Sequence, residues 1–317
     1  MEYYIGIDLG GTNIAAGLVT PKGELLASVS RPTGRGRGAK EIVADMAAAA
    51  REAAQSGGAA WEAVTRVGVG VPGTANKETG VVEFANNLGF HHEPLVRYLE
   101  EAMPGKTIVF DNDANAAAWG EYAVGAGKGV ESMIAVTLGT GVGGGIILDG
   151  RLYEGINYAA GELGHFVIAL DGIPCNCGRR GCYEAYASAT ALIRQTQKAM
   201  EQNPDSLLWE LVGGELDRVE GKTVFDGVRR NDPTAVGVLK QYTRYVGVGL
   251  VDLINVFQPE LICIGGGISK AGDLFLEPLR AVIAKESYTR TAKRQTRLTV
   301  ASLGNDAGII GAALLPV

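Results

Sequence analysis

No stretch of the sequence approaches the ~18 consecutive apolar residues that a membrane-spanning helix requires. Nor is there an excess of positive charge: 29 Lys and Arg against 35 Asp and Glu leave a net charge of −6 at pH 7. The first absence argues against an integral helical membrane protein. The second argues against nucleic-acid binding through a broad basic field. Low-complexity tracts and disordered linkers are missing as well, and 46% hydrophobic with 20% charged residues is an ordinary globular composition. The most irregular piece, RPTGRGRGAK at 31–40, reads as a solvated loop. The opening MEYYIGIDLGG has an acid at position 2 and a strand signal from residue 3, which predicts no signal peptide. A length of 317 residues suggests about two domains with a large buried core.

Cysteine is scarce, with four in the chain, but three of them, Cys175, Cys177 and Cys182, fall within 18 residues that begin at His165. One imidazole nitrogen and three thiolates make a complete tetrahedral ligand set for Zn²⁺, with no position left for a catalytic water. The site therefore reads as a structural clamp. Clustered cysteines, with a lone Cys263 inside an apolar strand, fit metal ligation in a reducing, cytoplasmic setting better than disulfides.

What is abundant is glycine, 46 residues gathered in short runs after apolar segments. Strands are expected at 3–9, 13–19, 24–30, 66–71, 107–110, 132–138, 146–148, 151–153, 261–264 and 297–301. Helices are expected at 39–56, 113–124, 186–200, 223–231, 233–257, 273–286 and from 306 onward. Alternating strands and helices make this an α/β chain. LGGTNIAAGLVTPKGEL, from residue 9, matches LGTGVGGGIILDGRL, from residue 138, with two residues dropped in the turn. The repeat implies two domains of similar β-β-β topology around a cleft. The expected division is 1–120 plus 303–317 for the smaller domain and 121–302 for the larger, zinc-bearing one.

Asp8, Gly10, Gly11, Thr12 and Asn13 lie where one strand turns into another, whereas a Rossmann fingerprint or Walker loop opens a helix. A tight glycine hairpin can aim backbone N–H groups and the Thr12 hydroxyl at phosphate oxygens, and Asp8 can hold Mg²⁺ directly or through water. Gly139, Thr140 and Gly141 repeat the arrangement, and two copies fit a phosphate chain gripped from both domains. A third turn, with Gly266 and Gly267 after the strand at 261–264, would let a flat adenine or ribose lie close to backbone. Asp111-Asn112-Asp113 ends a strand and starts a helix. Phosphoryl transfer to an alcohol needs a carboxylate that orients the hydroxyl and takes its proton. Either aspartate can do so from this place, and both can equally be helix caps.

Together DLGGTN at 8–13, GVPG at 70–73, DNDAN at 111–115, LGTGVGGG at 138–145, ELGH at 162–165 and the CNCG…GCYE run at 175–184 resemble the ROK family of repressors and kinases over essentially the whole chain. The branch they resemble is the bacterial ATP-dependent glucokinases. The resemblance implies an α/β fold of the actin-like, hexokinase-type ATPase class, with two ribonuclease-H-like domains around a cleft. It makes Asp113 the base and Asn112 a sugar ligand, with Glu162, His165 and Glu184 on sugar hydroxyls. Gly73 and Asn86 or Asn87 would line the sugar pocket. The ATP phosphates would lie on Gly10–Thr12 and Gly139–Gly141, and the adenosine near Gly266 and Gly267. Glucose is the implied substrate, with fructose, N-acetylmannosamine, N-acetylglucosamine and allose as alternatives within the family. A homodimer or homotetramer is implied, and neither a nucleic-acid nor a membrane partner. ROK repressors place a DNA-binding module before the hairpin that here begins at residue 8, so a regulator is not expected.

Overall fold

The computed structural model describes residues 2–34 and 36–317. Strands β1 (Tyr3–Leu9), β2 (Asn13–Val19) and β3 (Leu25–Pro32) lead into helix α1 (Ala39–Ser56) and strand β4 (Val64–Val71). A small meander of β5 (Thr74–Asn76), β6 (Val81–Ala85) and β7 (Phe90–Glu93) follows, then α2 (Leu95–Ala102), β8 (Thr107–Asn112) and α3 (Asp113–Ala123). Next come β9 (Met133–Leu138), β10 (Val142–Leu148) and β11 (Arg151–Leu152). The later helices are α4 (Glu184–Ala187), α5 (Ala189–Gln202), α6 (Leu208–Leu211), α7 (Thr223–Arg229) and α8 (Pro233–Phe257). The chain closes with β12 (Leu261–Gly265), α9 (Asp273–Glu286), β13 (Arg297–Val300) and α10 (Ala307–Leu314).

One five-stranded sheet has the order β3-β2-β1-β4-β8 and the other β11-β10-β9-β12-β13, so the internal repeat seen in the sequence is a repeat of strand order. In the first, β2 runs antiparallel to both β1 and β3, while β1, β4 and β8 are parallel. In the second, β10 and β11 are antiparallel and β12 and β13 parallel. The chain divides into two compact units. One comprises Met1–Ile134, Gly145–Gly161 and Ser302–Val317, and the other Ala135–Gly144 and Glu162–Ala301.

In the first unit α1 buries Ile42, Val43, Met46 and a row of alanines against the sheet. Each of the three larger side chains contributes roughly 1.5–3 kcal/mol by leaving water. Helix α10 covers β1 and β4 at backbone distance. A Cβ on Gly6 would stand 1.8 Å from the Ile309 carbonyl oxygen, and one on Gly68 would stand 1.7 Å from that of Ala312. Only hydrogen fits there, so α10 seats on the very strands whose ends carry Asp8 and Gly70.

Several elements depart from expectation. The helix expected at 186–200 is two helices, because Ser188 adopts an extended ψ of 162° and caps α5 by accepting the Ala191 N–H. The strand expected at 146–148 begins already at Val142. Its glycines are strand residues packed without side chains, Gly144 against Leu163 and Gly145 against Ala118. No regular structure was expected between 72 and 106, where β5–β7 and α2 lie. The basic stretch at 31–40 is not simply solvated: Arg31 pairs with Glu52 at 2.5 Å, Arg37 with Asp45 at 2.6 Å, and Thr33 is fully buried. Arg35 of that stretch lies outside the described residues.

Candidate active site

Three parallel strands of the first unit bring Asp8, Gly70 and Asp111 into one row, since Asp8 is in register with Gly70 and Gly70 with Asp111. Gly70 leaves room for the start of α3: a Cβ there would lie 3.3 Å from the Asp113 Cα and 3.2 Å from the Ala116 Cβ. The turn between β1 and β2 is closed by the Gly10 N–H donating to the Asn13 carbonyl at 2.9 Å. Thr33 staples it from behind, its hydroxyl donating to the Gly10 carbonyl at 2.7 Å and its N–H to that of Thr12 at 2.8 Å. Thr12 and Asn13 remain exposed. Asn87 packs against Gly11, while Asn86 is exposed in the turn after β6.

The Asp111-Asn112-Asp113 run divides its labour. Asp111 is buried, its Oδ2 2.5 Å from Lys77 Nζ and its Oδ1 accepting from Asn115 Nδ2 at 2.9 Å and the Asn112 N–H at 2.6 Å. Lys77 also pairs with Glu154. Asn112 caps α3, its Oδ1 accepting the N–H groups of Ala114 and Asn115. Its Nδ2 donates to the Gly73 carbonyl at 3.0 Å, and the same amide lies against the Asp113 carboxylate. Gly73 itself has φ of +89°, and a Cβ there would meet the Phe84 carbonyl oxygen at 2.0 Å. Asp113, the first residue of α3, has no cationic partner among the described residues. Its carboxylate accepts the neighbouring Ala114 N–H, at 2.8 Å, its own N–H and the Asn112 side-chain amide. Burial pushes the Asp113 carboxyl upward. Asp8 is pushed up to about 6, by burial first and then by the charge of Asp113. Gly308 leaves its carboxylate room, a Cβ there lying 2.5 Å from Asp8 Oδ2.

In the second unit the turn Gly139–Gly141 is closed by the Gly139 N–H donating to the Gly141 carbonyl at 3.0 Å. The start of α5 holds it: the Ala189 N–H donates to the Gly139 carbonyl at 2.8 Å and the Thr190 hydroxyl to the Thr140 carbonyl at 2.9 Å. Glu184 Oε2 accepts the Val142 N–H at 2.9 Å and lies directly over Gly141. Gly266, with φ of +89°, docks against the end of β9, where a Cβ would meet the Leu138 carbonyl oxygen at 2.3 Å. A cavity of about 390 Å³ opens there, lined by Gly139, Thr140, Lys222, Phe225, Gly267 and Ile268 among others. The second and third glycine turns thus share one pocket.

His165, Cys175, Cys177 and Cys182 converge, their ligand atoms all within 4.8 Å of one another. The Cys177 and Cys182 sulfurs are 3.6 Å apart, and Cys175 Sγ is 3.7 Å from His165 Nδ1. A tetrahedron with metal–sulfur bonds of about 2.3 Å has sulfur–sulfur edges of about 3.8 Å, so the donor set has the right size for zinc. Nδ1 faces the sulfurs, while Nε2 lies 3.8 Å from Glu162 Oε2. Arg179 fastens the knuckle by donating to the His165 carbonyl at 3.1 Å. Tyr183, fully buried, stacks on Phe166 and donates to the Val246 carbonyl at 3.0 Å, which fixes the start of α4 and with it the backbone of Glu184.

Thr33, Lys77, Glu154, Arg179, Tyr183 and Thr190 are the supports that sequence reasoning missed. Thr33, Lys77, Glu154 and Thr190 belong to no motif and act on partners distant in the chain, while Arg179 and Tyr183 lie inside the cysteine run but were given no role there.

The sequence model of the ROK family matches residues 4–316. A glucokinase of Streptomyces coelicolor is 40% identical over 315 residues, 99% of this chain and 97% of the relative. The crystal structure of a ROK family glucokinase from Streptomyces griseus in complex with glucose and AMPPNP superposes with a TM-score of 0.81 at 39% identity, covering 98% of each chain. A ROK hexokinase from Thermus thermophilus superposes at 0.79 with 34% identity, over 98% of this chain and 97% of that one. These likenesses bear out the expected hexokinase-type fold.

The Asp8 geometry has a consequence for stability. Its carboxyl is raised from 3.8 to about 6. Between about pH 4 and 6 the folded chain therefore keeps a proton that the unfolded chain has released, and stability falls as pH rises through that window. At pH 7.5, Asp8→Asn is expected to raise the unfolding free energy by on the order of 1–3 kcal/mol in urea titrations. Unchanged or lowered stability would refute the burial cost assigned to Asp8.

Proposed function

The chain belongs to the ROK family, and on that premise we propose that it is an ATP-dependent glucokinase, transferring the γ-phosphoryl group of ATP to the 6-hydroxyl of glucose with Asp113 as base. The observation that carries the assignment is the state of Asp113. It is the carboxylate of its run without a cationic partner among the described residues, partly buried at the positive end of α3. Burial raises its proton affinity and the helix terminus favours its ionised form, so it is a weak base ready at neutral pH. In a loose phosphoryl-transfer transition state the hydroxyl proton leaves late, and the carboxylate mainly aims the nucleophile. The 6-oxygen attacks the γ-phosphorus, ADP leaves, and the proton ends on Asp113.

In the first unit, Asn112, Gly73 and Asn86 take the sugar. Asp8 takes Mg²⁺, and the turn Gly10, Gly11, Thr12 and Asn13 takes phosphate oxygens. In the second, Glu162, His165 and Glu184 take sugar hydroxyls. There Gly139, Thr140 and Gly141 take phosphate, and the cavity beside Gly266 and Gly267 takes adenosine. A pyranose with hydroxyls in fixed directions is read by such carboxylate and amide partners. Zn²⁺ would be held by His165, Cys175, Cys177 and Cys182. Bound there it supplies a cross-link that fixes the histidine tautomer, leaving Nε2–H for a sugar oxygen. ATP use and cysteines free of disulfides fit a cytoplasmic setting.

A coupled ADP-release assay against hexoses and N-acetylhexosamines is expected to give glucose the highest kcat/KM, by about tenfold or more. A better rate on another sugar would move the specificity within the family, and no ADP release with any of them would end the kinase assignment. Protein purified without added metal is expected to carry about one zinc per chain. Cys177→Ser should lose both the zinc and glucose affinity. A variant that keeps both would refute the metal's part in shaping the sugar site.

A further inference from the structure

One carboxylate in the second unit stands between two jobs. Glu184 Oε2 accepts the Val142 N–H, directly after the Gly139–Gly141 turn, at 2.9 Å. Its Oε1 has no hydrogen-bond partner among the described residues. A Cβ on Gly141 would lie 2.3 Å from Oε2, so the carboxylate rests on the turn itself. The same short segment grips the turn twice more, through the Ala189 N–H on the Gly139 carbonyl and the Thr190 hydroxyl on that of Thr140. Its other end is fixed by Tyr183, buried against α8.

We propose that the segment Glu184–Thr190 couples sugar binding to nucleotide binding, with Glu184 as the shared element and Thr190 as a positioning residue for the phosphate turn. The inference rests on the proposed contact between Glu184 and a sugar hydroxyl. A hydroxyl donating to Oε1 fixes the Glu184 side chain, and a fixed Oε2 holds the Val142 N–H and the turn before it. Phosphate oxygens received by that turn fix Glu184 in the same rotamer from the other side. Each ligand bears the entropic cost of ordering a long, flexible side chain, and whichever binds second finds it already ordered. The coupling is therefore positive, and by linkage it is the same in both directions. Thr190 transmits it without touching the sugar, because its hydroxyl reaches only the Thr140 carbonyl.

The test is calorimetry on the full-length, zinc-loaded protein: glucose alone, then a non-hydrolysable ATP analogue with Mg²⁺ in the absence and presence of saturating glucose. For the parent chain, glucose is expected to tighten the analogue about tenfold. For Thr190→Val the affinity for glucose alone should stay within about twofold, while the coupling drops below about threefold. Gly141→Ala pushes the carboxylate off the turn and should abolish the coupling at unchanged zinc content. Full coupling in Thr190→Val, no coupling in the parent chain, or loss of glucose binding in Thr190→Val would each overturn the inference. Failure of the parent chain to bind glucose at all would instead overturn the proposed function on which it rests.

Discussion

The ion pair of Lys77 with buried Asp111 is the constraint on which the junction of β8 and α3 depends. A carboxylate as deeply buried as Asp111 is tolerable only when its lone pairs are used, and Lys77, Asn115 and the Asn112 N–H use them. Removing one partner of such a pair costs about 3–5 kcal/mol because the other is left charged and unpaired. With Asp111 held, the chain can turn from strand to helix at Asn112, whose side chain satisfies two of the first N–H groups of α3. What remains is Asp113, at the helix terminus with no cation beside it among the described residues. Two acids separated by one residue thus stand in opposite settings, one held by a buried ion pair and the other facing no cation among the described residues.

Glycine solves a related problem of space. At Gly6 and Gly68 the backbone of α10 lies where side chains would be, which presses the helix onto the strands that carry the acids. At Gly141 the carboxylate of Glu184 occupies the place of a side chain, and at Gly266 the backbone of β9 does. The glycine excess is therefore not looseness. It lets backbone and a carboxylate occupy spaces that a Cβ would fill.

The turns, the repeated strand order and the cluster of His165 with three cysteines were legible in the sequence because each is a local pattern of residue types at fixed spacing. The different environments of Asp111 and Asp113 were not, since they turn on Lys77, which arrives from the β5–β6 turn of a small sheet with no strong periodicity of its own. Nor was the break at Ser188: residues 186–200 have the composition of one helix, and only the cap formed by Ser188 divides them. Thr33 lay in a stretch that read as solvated, yet it is fully buried because its hydroxyl and N–H close the first glycine turn. Supports of this kind are single polar residues whose meaning is set by a distant partner.

The account stands most directly on the turnover of Asp113→Asn with glucose and ATP. If Asp113 is the base, kcat should fall by about 10³-fold or more, within the range general-base removal commands. Glucose affinity and thermal stability should stay close to those of the parent chain. Turnover within about tenfold of the parent would contradict the division of labour and return the base to Asp111 or to a residue outside this junction.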